Sequence, residues 1–216
     1  MLVEAKDSAI PDPLALGFTR PLPFDEAAPD AIDAEIRSVF DEDEVLTPDD
    51  VRGDAPTLEE AVLTRGWPTL GEVRGKVLFA LDNTDVIRTR YVSRSPNLAG
   101  RVMFTSSEPG RPDAAFLKRN DPVADGDAIR EAVAAGYLER TRADGDTAQA
   151  RTGDTTTADA ALASGAQFVS TDYPEPDPRF TPYAVSIPGG TPARCNPVSA
   201  PARCSPADVE SPDTPG

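Results

Sequence analysis

Two arginines near the end of an apolar run are the residues whose chemistry is easiest to interpret in this sequence. In YLERTRAD, which begins at Tyr137, side chains alternate between faces if the run is a strand, so Leu138, Arg140 and Arg142 share one face. Two guanidinium groups on one face suit the binding of a phosphate or a carboxylate. An equally good interpretation is an ion pair with an acid at another strand end. The acids in such positions are Glu4, Asp82 and Asp172.

Glu4 and Lys6 place an acid and a base two residues apart in the first apolar run, MLVEAKD. On a strand these two side chains point to the same face as Leu2, inward near the strand end. Burying them costs free energy unless they bind a ligand or one another. They therefore form either part of a site or an ordinary salt bridge at a strand terminus, and the sequence leaves both interpretations open.

The sequence contains no histidine. This removes the usual proton carrier near neutral pH and the commonest imidazole ligand for metals. Acid–base chemistry inside the chain would have to use carboxylates, lysine, tyrosine or water. No catalytic residue is therefore identifiable from residue types alone.

Five apolar runs that end in polar or charged residues are the predicted strands. They are MLVEAKD, KVLFALDN, RVMFTSS, YLERTRAD and QFVSTDYP. Segments with helical spacing lie between them, such as Asp25 to Phe40 and Asp121 to Ala135, with Gly136 as a helix C-cap. Alternating strands and helices predict a parallel α/β sheet, whose sites lie where the carboxyl ends of the strands emerge. Five strands do not close an eight-stranded barrel.

Length and composition predict one structured part and one irregular tail. The chain has 216 residues and a net charge of −16, with 23 prolines. Residues 1–174 show no composition break and are expected to form one domain, whereas residues 175–216 are expected to be an irregular Pro-rich tail. The acidity argues against a nucleic-acid partner. No run approaches the ~18 apolar residues that a membrane span requires.

The two cysteines, Cys195 and Cys204, lie in the tail segment ARCNPVSAPARC. Two thiols do not make a four-ligand zinc site, and the spacing is not that of a CxxC redox motif. The preferred prediction is a disulfide that closes a small loop, which implies an oxidising compartment; free thiols are the alternative.

Several segments together resemble the bacterial calcium-dependent phosphoinositide phospholipases C, within the phosphatidylinositol phospholipase C-like phosphodiesterase superfamily. The segments are VEAKD, IDAEIRSVF, PDDVRGDAPTLEEAVLTRGWPTLGEVRGKVLFALDN, FTSSEPGRPDAAFLKRNDP, GYLERTRADGDTAQARTGD and ALASGAQFVSTDYP. The resemblance covers roughly residues 1–204. It implies a secreted enzyme with a TIM (β/α)8 barrel that cleaves a phosphodiester with calcium, using a substrate hydroxyl as the internal nucleophile.

On this resemblance MLVEAKD corresponds to the fourth strand of the barrel, and the later runs correspond to the fifth to eighth. The chain is then expected to be the carboxyl-terminal part of the barrel, about five strand–helix units. The family's two catalytic histidines and most of its calcium ligands are expected on the strands before it. Unpaired strand edges are expected at residues 2–6 and 168–173, which would favour self-association.

The resemblance also implies roles for individual residues. Glu4 is expected to offer a carboxylate to Ca²⁺, a hard ion that prefers oxygen. The residues expected to face the phosphate are Lys6, Arg140 and Arg142, and those expected to orient them or the substrate sugar are Asp82 and Asp172. The expected partner is a phosphoinositide or another phosphodiester, with peripheral contact to a membrane. The alternative function is a non-catalytic half-barrel that binds phosphate or a lipid headgroup.

Overall fold

The computed structural model describes residues 1–210 and shows short strands alternating with helices. The strands are β1 Leu2–Val3, β2 Val45–Leu46, β3 Val77–Leu78, β4 Ala80–Leu81, β5 Phe104–Ser107, β6 Phe116–Lys118, β7 Leu138–Arg142 and β8 Phe168–Ser170. The helices are α1 Ala28–Val39, α2 Pro48–Arg52, α3 Leu58–Thr64, α4 Leu70–Val73, α5 Val86–Val92, α6 Gly126–Ala135, α7 Ala148–Thr152, α8 Thr156–Ser164 and α9 Pro206–Glu210. The chain divides into two compact units. Unit 1 comprises residues 1–61 and 75–114, and unit 2 comprises residues 62–74 and the chain from residue 115 onward.

Unit 1 contains parallel strands in the order β1-β4-β5 and a separate parallel pair, β2-β3. The predicted single strand KVLFALDN is therefore two strands, because β3 pairs with β2 whereas β4 pairs with β1. Phe79 lies between them. Its buried ring packs edge-on against Phe40, with 5.4 Å between ring centroids. The run keeps its apolar character across the break because Phe79 is a core residue.

A buried polar network joins α5 to the end of β5. The Arg88 side chain donates hydrogen bonds to the backbone oxygen of Ser106 and to Ser107 Oγ, and it forms an ion pair with Asp113. Thr105 Oγ1 donates to the same Asp113 carboxylate at 2.6 Å. Because all these residues are buried, water does not solvate the charges of Arg88 and Asp113. Each side chain therefore needs the other as its counter-charge.

Unit 2 contains parallel strands in the order β6-β7-β8. The helix α6 ends at Gly136 as predicted, with a left-handed φ of 113°. A side chain there would also meet the Val62 carbonyl oxygen 2.8 Å from its Cβ, so the position requires glycine. The described residues contain eight strands where five were predicted, because KVLFALDN forms two strands and neither β2 nor β6 was predicted. The strand β6 follows a loop that contains two prolines and a glycine. With only three residues, β6 is too short to show the alternating pattern of a strand.

The described part of the tail is mostly irregular and packs onto unit 2. Tyr183 is buried and packs edge-on against Tyr173, with 5.8 Å between ring centroids. The predicted disulfide is present, between Cys195 and Cys204. Beside it, Asn196 Nδ2 donates to the carbonyl oxygen of Gly165, the residue after α8, at 2.7 Å. Residues 211–216 of the predicted tail lie outside the described residues.

Within residues 1–210, no helix combines the length and the apolar character that crossing a bilayer would require.

The Arg88–Asp113 pair leads to a stability prediction. We expect Asp113→Ala to lower the free energy of unfolding by about 3–5 kcal/mol, because it leaves the Arg88 guanidinium buried without a counter-charge. Chemical denaturation followed by circular dichroism measures the change. The control is Arg111→Ala, which removes a half-exposed partner 3.6 Å from the same carboxylate and is expected to cost at most ~1 kcal/mol. Equal losses in the two variants would contradict the prediction.

Candidate functional site

Three cationic residues lie on one face of the unit 2 strands, near their carboxyl ends. The Cα partners are Lys118 with Arg140, Arg140 with Phe168, and Arg142 with Ser170. Paired residues of adjacent strands point their side chains to the same face, and residues two apart on a strand do so as well. Lys118, Arg140 and Arg142 therefore share a face, and we call these three residues the cationic rim. The sequence predicted the two arginines but missed Lys118, because the strand that carries it was not recognised.

The Arg140 guanidinium is partly buried and oriented by two side chains of the same unit. One terminal nitrogen donates to Asn120 Oδ1 at 2.5 Å, and the other donates to Ser170 Oγ at 2.8 Å. Both acceptors are uncharged side chains, and together they fix the direction of the guanidinium. A group held in this way loses little rotamer freedom when it binds an anion.

Arg142 forms a longer ion pair with Asp172, one of the partners that the sequence left open for it. The distance between the Arg142 terminal nitrogen and Asp172 Oδ2 is 3.6 Å, and the two side chains are 37% and 53% exposed. An exposed pair of this kind contributes at most about 1 kcal/mol. Asp172 is therefore held weakly enough for another anion to replace it at Arg142.

The segment that carries Asp172 is held by a buried carboxylate that the sequence did not single out. Asp144 is 3% exposed and lies just beyond β7. It accepts hydrogen bonds from Thr171 Oγ1, from the Asp172 amide at 2.8 Å and from the Tyr183 hydroxyl at 3.2 Å. Burial raises the pKa of the Tyr183 hydroxyl above its usual range, and the Asp144 charge adds to this shift. The hydroxyl thus stays protonated and keeps donating to Asp144.

Glu4 and Lys6 lie beyond the end of β1, which stops at Val3. Their side chains are 56% and 72% exposed and form a salt bridge of 3.3 Å. This is the strand-terminus salt bridge that the sequence left open as one of two interpretations. Because both side chains meet solvent, neither incurs the cost of a buried charge.

Asp82 follows β4 directly, and its amide donates to the Val3 carbonyl oxygen at 2.7 Å. Asn83, which the sequence did not single out, holds the two chain segments together beyond the strands. Its side chain accepts from the Ala5 amide at 2.9 Å and donates to the Ala5 carbonyl at 3.0 Å. Asn83 thereby fixes the segment that carries Glu4 relative to Asp82.

The number of oxygen ligands around Glu4 decides whether this part of the chain can hold Ca²⁺. A calcium ion takes roughly six to eight oxygens. Within residues 1–210, no group of three or more acidic, histidine or cysteine side chains is placed to hold a metal ion. Glu4 offers a single carboxylate, and the Lys6 ammonium lies against it. The described residues thus do not assemble a complete calcium site by themselves.

The role of Asp144 leads to a second prediction. We expect Asp144→Ala to lower the free energy of unfolding by about 1–3 kcal/mol, because the groups that donate to it lose their acceptor. Hydrogen exchange of the Asp172 amide should also become faster. Denaturation and exchange mass spectrometry measure the two effects, and Glu175→Ala, an exposed acid on the same segment, is the control. Unchanged exchange at residues 171–173 would contradict this role.

One solved structure similar to this chain is a Ca²⁺-dependent phosphatidylinositol-specific phospholipase C from Streptomyces antibioticus. The two superpose with a TM-score of 0.50 at 20% sequence identity, over 67% of this chain and 58% of that chain. This chain therefore spans less than two thirds of the length of that enzyme. The likeness confirms the predicted fold class, an α/β fold that corresponds to part of a (β/α)8 barrel.

No curated protein matches the sequence. The model of the family described as "Phosphoinositide phospholipase C, Ca2+-dependent" matches residues 1–197, which is nearly the whole chain. Both the cationic rim and the Glu4–Lys6 pair lie within the matched residues. The chain therefore belongs to the family of Ca²⁺-dependent phosphoinositide phospholipases C.

Proposed function

We propose that the cationic rim binds the phosphodiester group of a phosphoinositide, and that the chain serves calcium-dependent phospholipase C cleavage in this way. The observation that carries the proposal is the register that places Lys118, Arg140 and Arg142 on one face at the strand ends. Membership of the family supplies the substrate class.

The geometry of the rim supports a phosphate more than a neutral ligand. A phosphodiester shares one negative charge between two non-bridging oxygens, and a guanidinium presents parallel N–H donors that match such a pair. Arg140 is already oriented by Asn120 and Ser170. When the phosphate binds, it replaces Asp172 as the partner of Arg142. The Asp172 carboxylate then lies beside the bound group and accepts a hydrogen bond from a sugar hydroxyl.

Proton transfer is the part of the reaction that this chain does not supply through imidazole. Cleavage by a substrate hydroxyl needs a base that takes its proton and an acid that protonates the leaving oxygen. The sequence has no histidine, and carboxylates in general are weak bases near neutral pH. The residues of this chain therefore bind and orient the substrate.

The absence of histidine also favours a second candidate function, a non-catalytic module that binds a phosphate or a lipid headgroup. Such a module would use the same cationic rim without turnover. The two candidates share this binding step and differ in whether an acid and a base, which histidine does not supply in this chain, complete the cleavage.

We also propose that the protein is secreted, as the Cys195–Cys204 disulfide persists in oxidising compartments. On this proposal residues 1–174 form the barrel part and residues 175–216 form a tail.

Binding through the rim is tested with glycerophosphoinositol, a soluble phosphodiester with the proposed headgroup. We expect Arg140→Ala and Arg142→Ala each to weaken binding by about tenfold, since each removes a charge-assisted hydrogen bond. Isothermal titration calorimetry measures the affinity. The matched control is Arg94→Ala, which removes an exposed arginine paired with Asp30 in unit 1 and should leave the affinity unchanged. Equal weakening in all three variants would reduce the effect to net charge and contradict a specific site.

Turnover is tested with the purified full chain, calcium and phosphatidylinositol. We expect hydrolysis no faster than in buffer, because each missing acid or base of a phospholipase costs about 10²–10⁴ in rate. Release of inositol phosphate measures the reaction. A calcium-dependent rate that survives repurification would show that carboxylates or other groups of this chain perform the proton transfers.

A further inference from the structure

The segment after β1 exposes an unusual set of large apolar side chains. We call residues 8–24 the apolar loop. Its exposed apolar residues are Ile10 at 69%, Leu14 at 76%, Leu16 at 66%, Phe18 at 46% and Leu22 at 87%. Single exposed apolar residues are normal on protein surfaces, but a concentration of five in one loop indicates a contact surface.

The apolar loop has a defined conformation that keeps these side chains exposed. The Asp12 carboxylate accepts hydrogen bonds from the amides of Leu16 at 2.7 Å, Gly17 at 2.8 Å and Phe18 at 3.3 Å. These bonds, chiefly the one from Leu16, lower the pKa of the Asp12 carboxyl. Ala15 and Gly17 adopt left-handed φ values of 52° and 78°. The Asp12 side chain thus closes the turn by binding backbone amides, and the apolar side chains remain exposed.

Both ends of the apolar loop are attached to unit 1. Phe24 is buried, its amide donates to Asp7 Oδ2 at 3.3 Å, and its carbonyl oxygen accepts from the Arg90 guanidinium. The loop starts just beyond Glu4 and Lys6, which follow the carboxyl end of β1. The apolar loop therefore leaves the unit 1 sheet at the carboxyl end of β1. Active sites of barrels built from parallel strands lie at this end.

We propose that the apolar loop docks this protein on a phospholipid bilayer by inserting Leu14, Leu16 and Phe18 into the interfacial region. The proposal rests on the proposed function, since a phosphoinositide substrate is embedded in a bilayer and the site must reach it there. Insertion of a small apolar surface into the headgroup and acyl boundary is a known mode of peripheral binding.

The charge of the chain favours this mode over electrostatic attraction. The net charge is −16, so an anionic bilayer repels the protein overall. The apolar loop contains only two charged residues, Arg20 and Asp12, and Asp12 is occupied by three backbone amides. It has no basic cluster of the kind that binds anionic lipids. Binding must therefore come from apolar burial and should persist in high salt.

The test uses the full chain and phosphatidylcholine vesicles, with and without phosphatidylinositol. We expect the triple variant Leu14→Ser, Leu16→Ser, Phe18→Ser to lower the vesicle partition coefficient by about tenfold or more in a flotation assay. The control variant is Val39→Ser with Val123→Ser, which removes two exposed apolar residues outside the loop, 67% and 57% exposed. It should partition as the unsubstituted protein does. A triple variant that binds as tightly as the control overturns the proposal.

A tryptophan reporter at the loop gives a second measurement. In the variant Leu16→Trp, fluorescence should shift to the blue when phosphatidylcholine vesicles are added, and the shift should survive added salt. An unshifted spectrum with bound vesicles would place the contact elsewhere and overturn the proposal. A third outcome would assign the loop to self-association and also overturn the proposal. In that case the unsubstituted protein is a dimer by light scattering and does not bind vesicles, whereas the triple variant is a monomer.

Failure of the docking proposal is distinguishable from failure of the proposed function. Vesicles without phosphatidylinositol test the loop independently of the headgroup site. Vesicle binding without affinity for glycerophosphoinositol would support the loop and contradict the cationic rim. The converse result would support the rim and contradict the loop.

Discussion

The register between β7 and its two neighbours is the constraint on which the cationic rim depends. Because side chains alternate along a strand, a slip of one residue would move Arg140 and Arg142 to the opposite face. That face already holds the fully buried Glu139, which pairs with Arg119 of the neighbouring segment. Breaking this buried pair would leave a carboxylate in the protein interior without a counter-charge, so the register is strongly specified.

Beyond the short strands, side chains take over the bonding that sheet pairing no longer provides. Asn83 bonds both backbone groups of Ala5, Asp144 accepts from the segment after β8, and Asp12 closes the apolar loop. In each case a short polar side chain satisfies backbone groups that would otherwise need water. The residues proposed to meet a ligand are thus carried on segments whose conformation is already defined, which lowers the entropic cost of binding.

The acidity of the chain and the positive rim act over different ranges. A net charge of −16 slows the approach of an anion at long range, but charges are screened beyond ~10 Å at moderate ionic strength. Within that distance, the hydrogen bonds of a guanidinium determine whether the anion binds. Neither proposal therefore requires an overall positive charge, because the rim binds through hydrogen bonds and the apolar loop through burial of apolar surface.

Local patterns in the sequence determined the alternation of strands and helices, the glycine that ends α6, the shared face of Arg140 and Arg142, the disulfide and the family. These features depend on residues close together in the chain or on composition. The tertiary structure alone decided where KVLFALDN changes its pairing partner and that the short β6 is a strand, because strand pairing is made with distant residues. It also decided the partners of Asp144, since Tyr183 lies 39 residues away. A hydrogen bond over that separation leaves no local pattern, and only folding brings its two groups together.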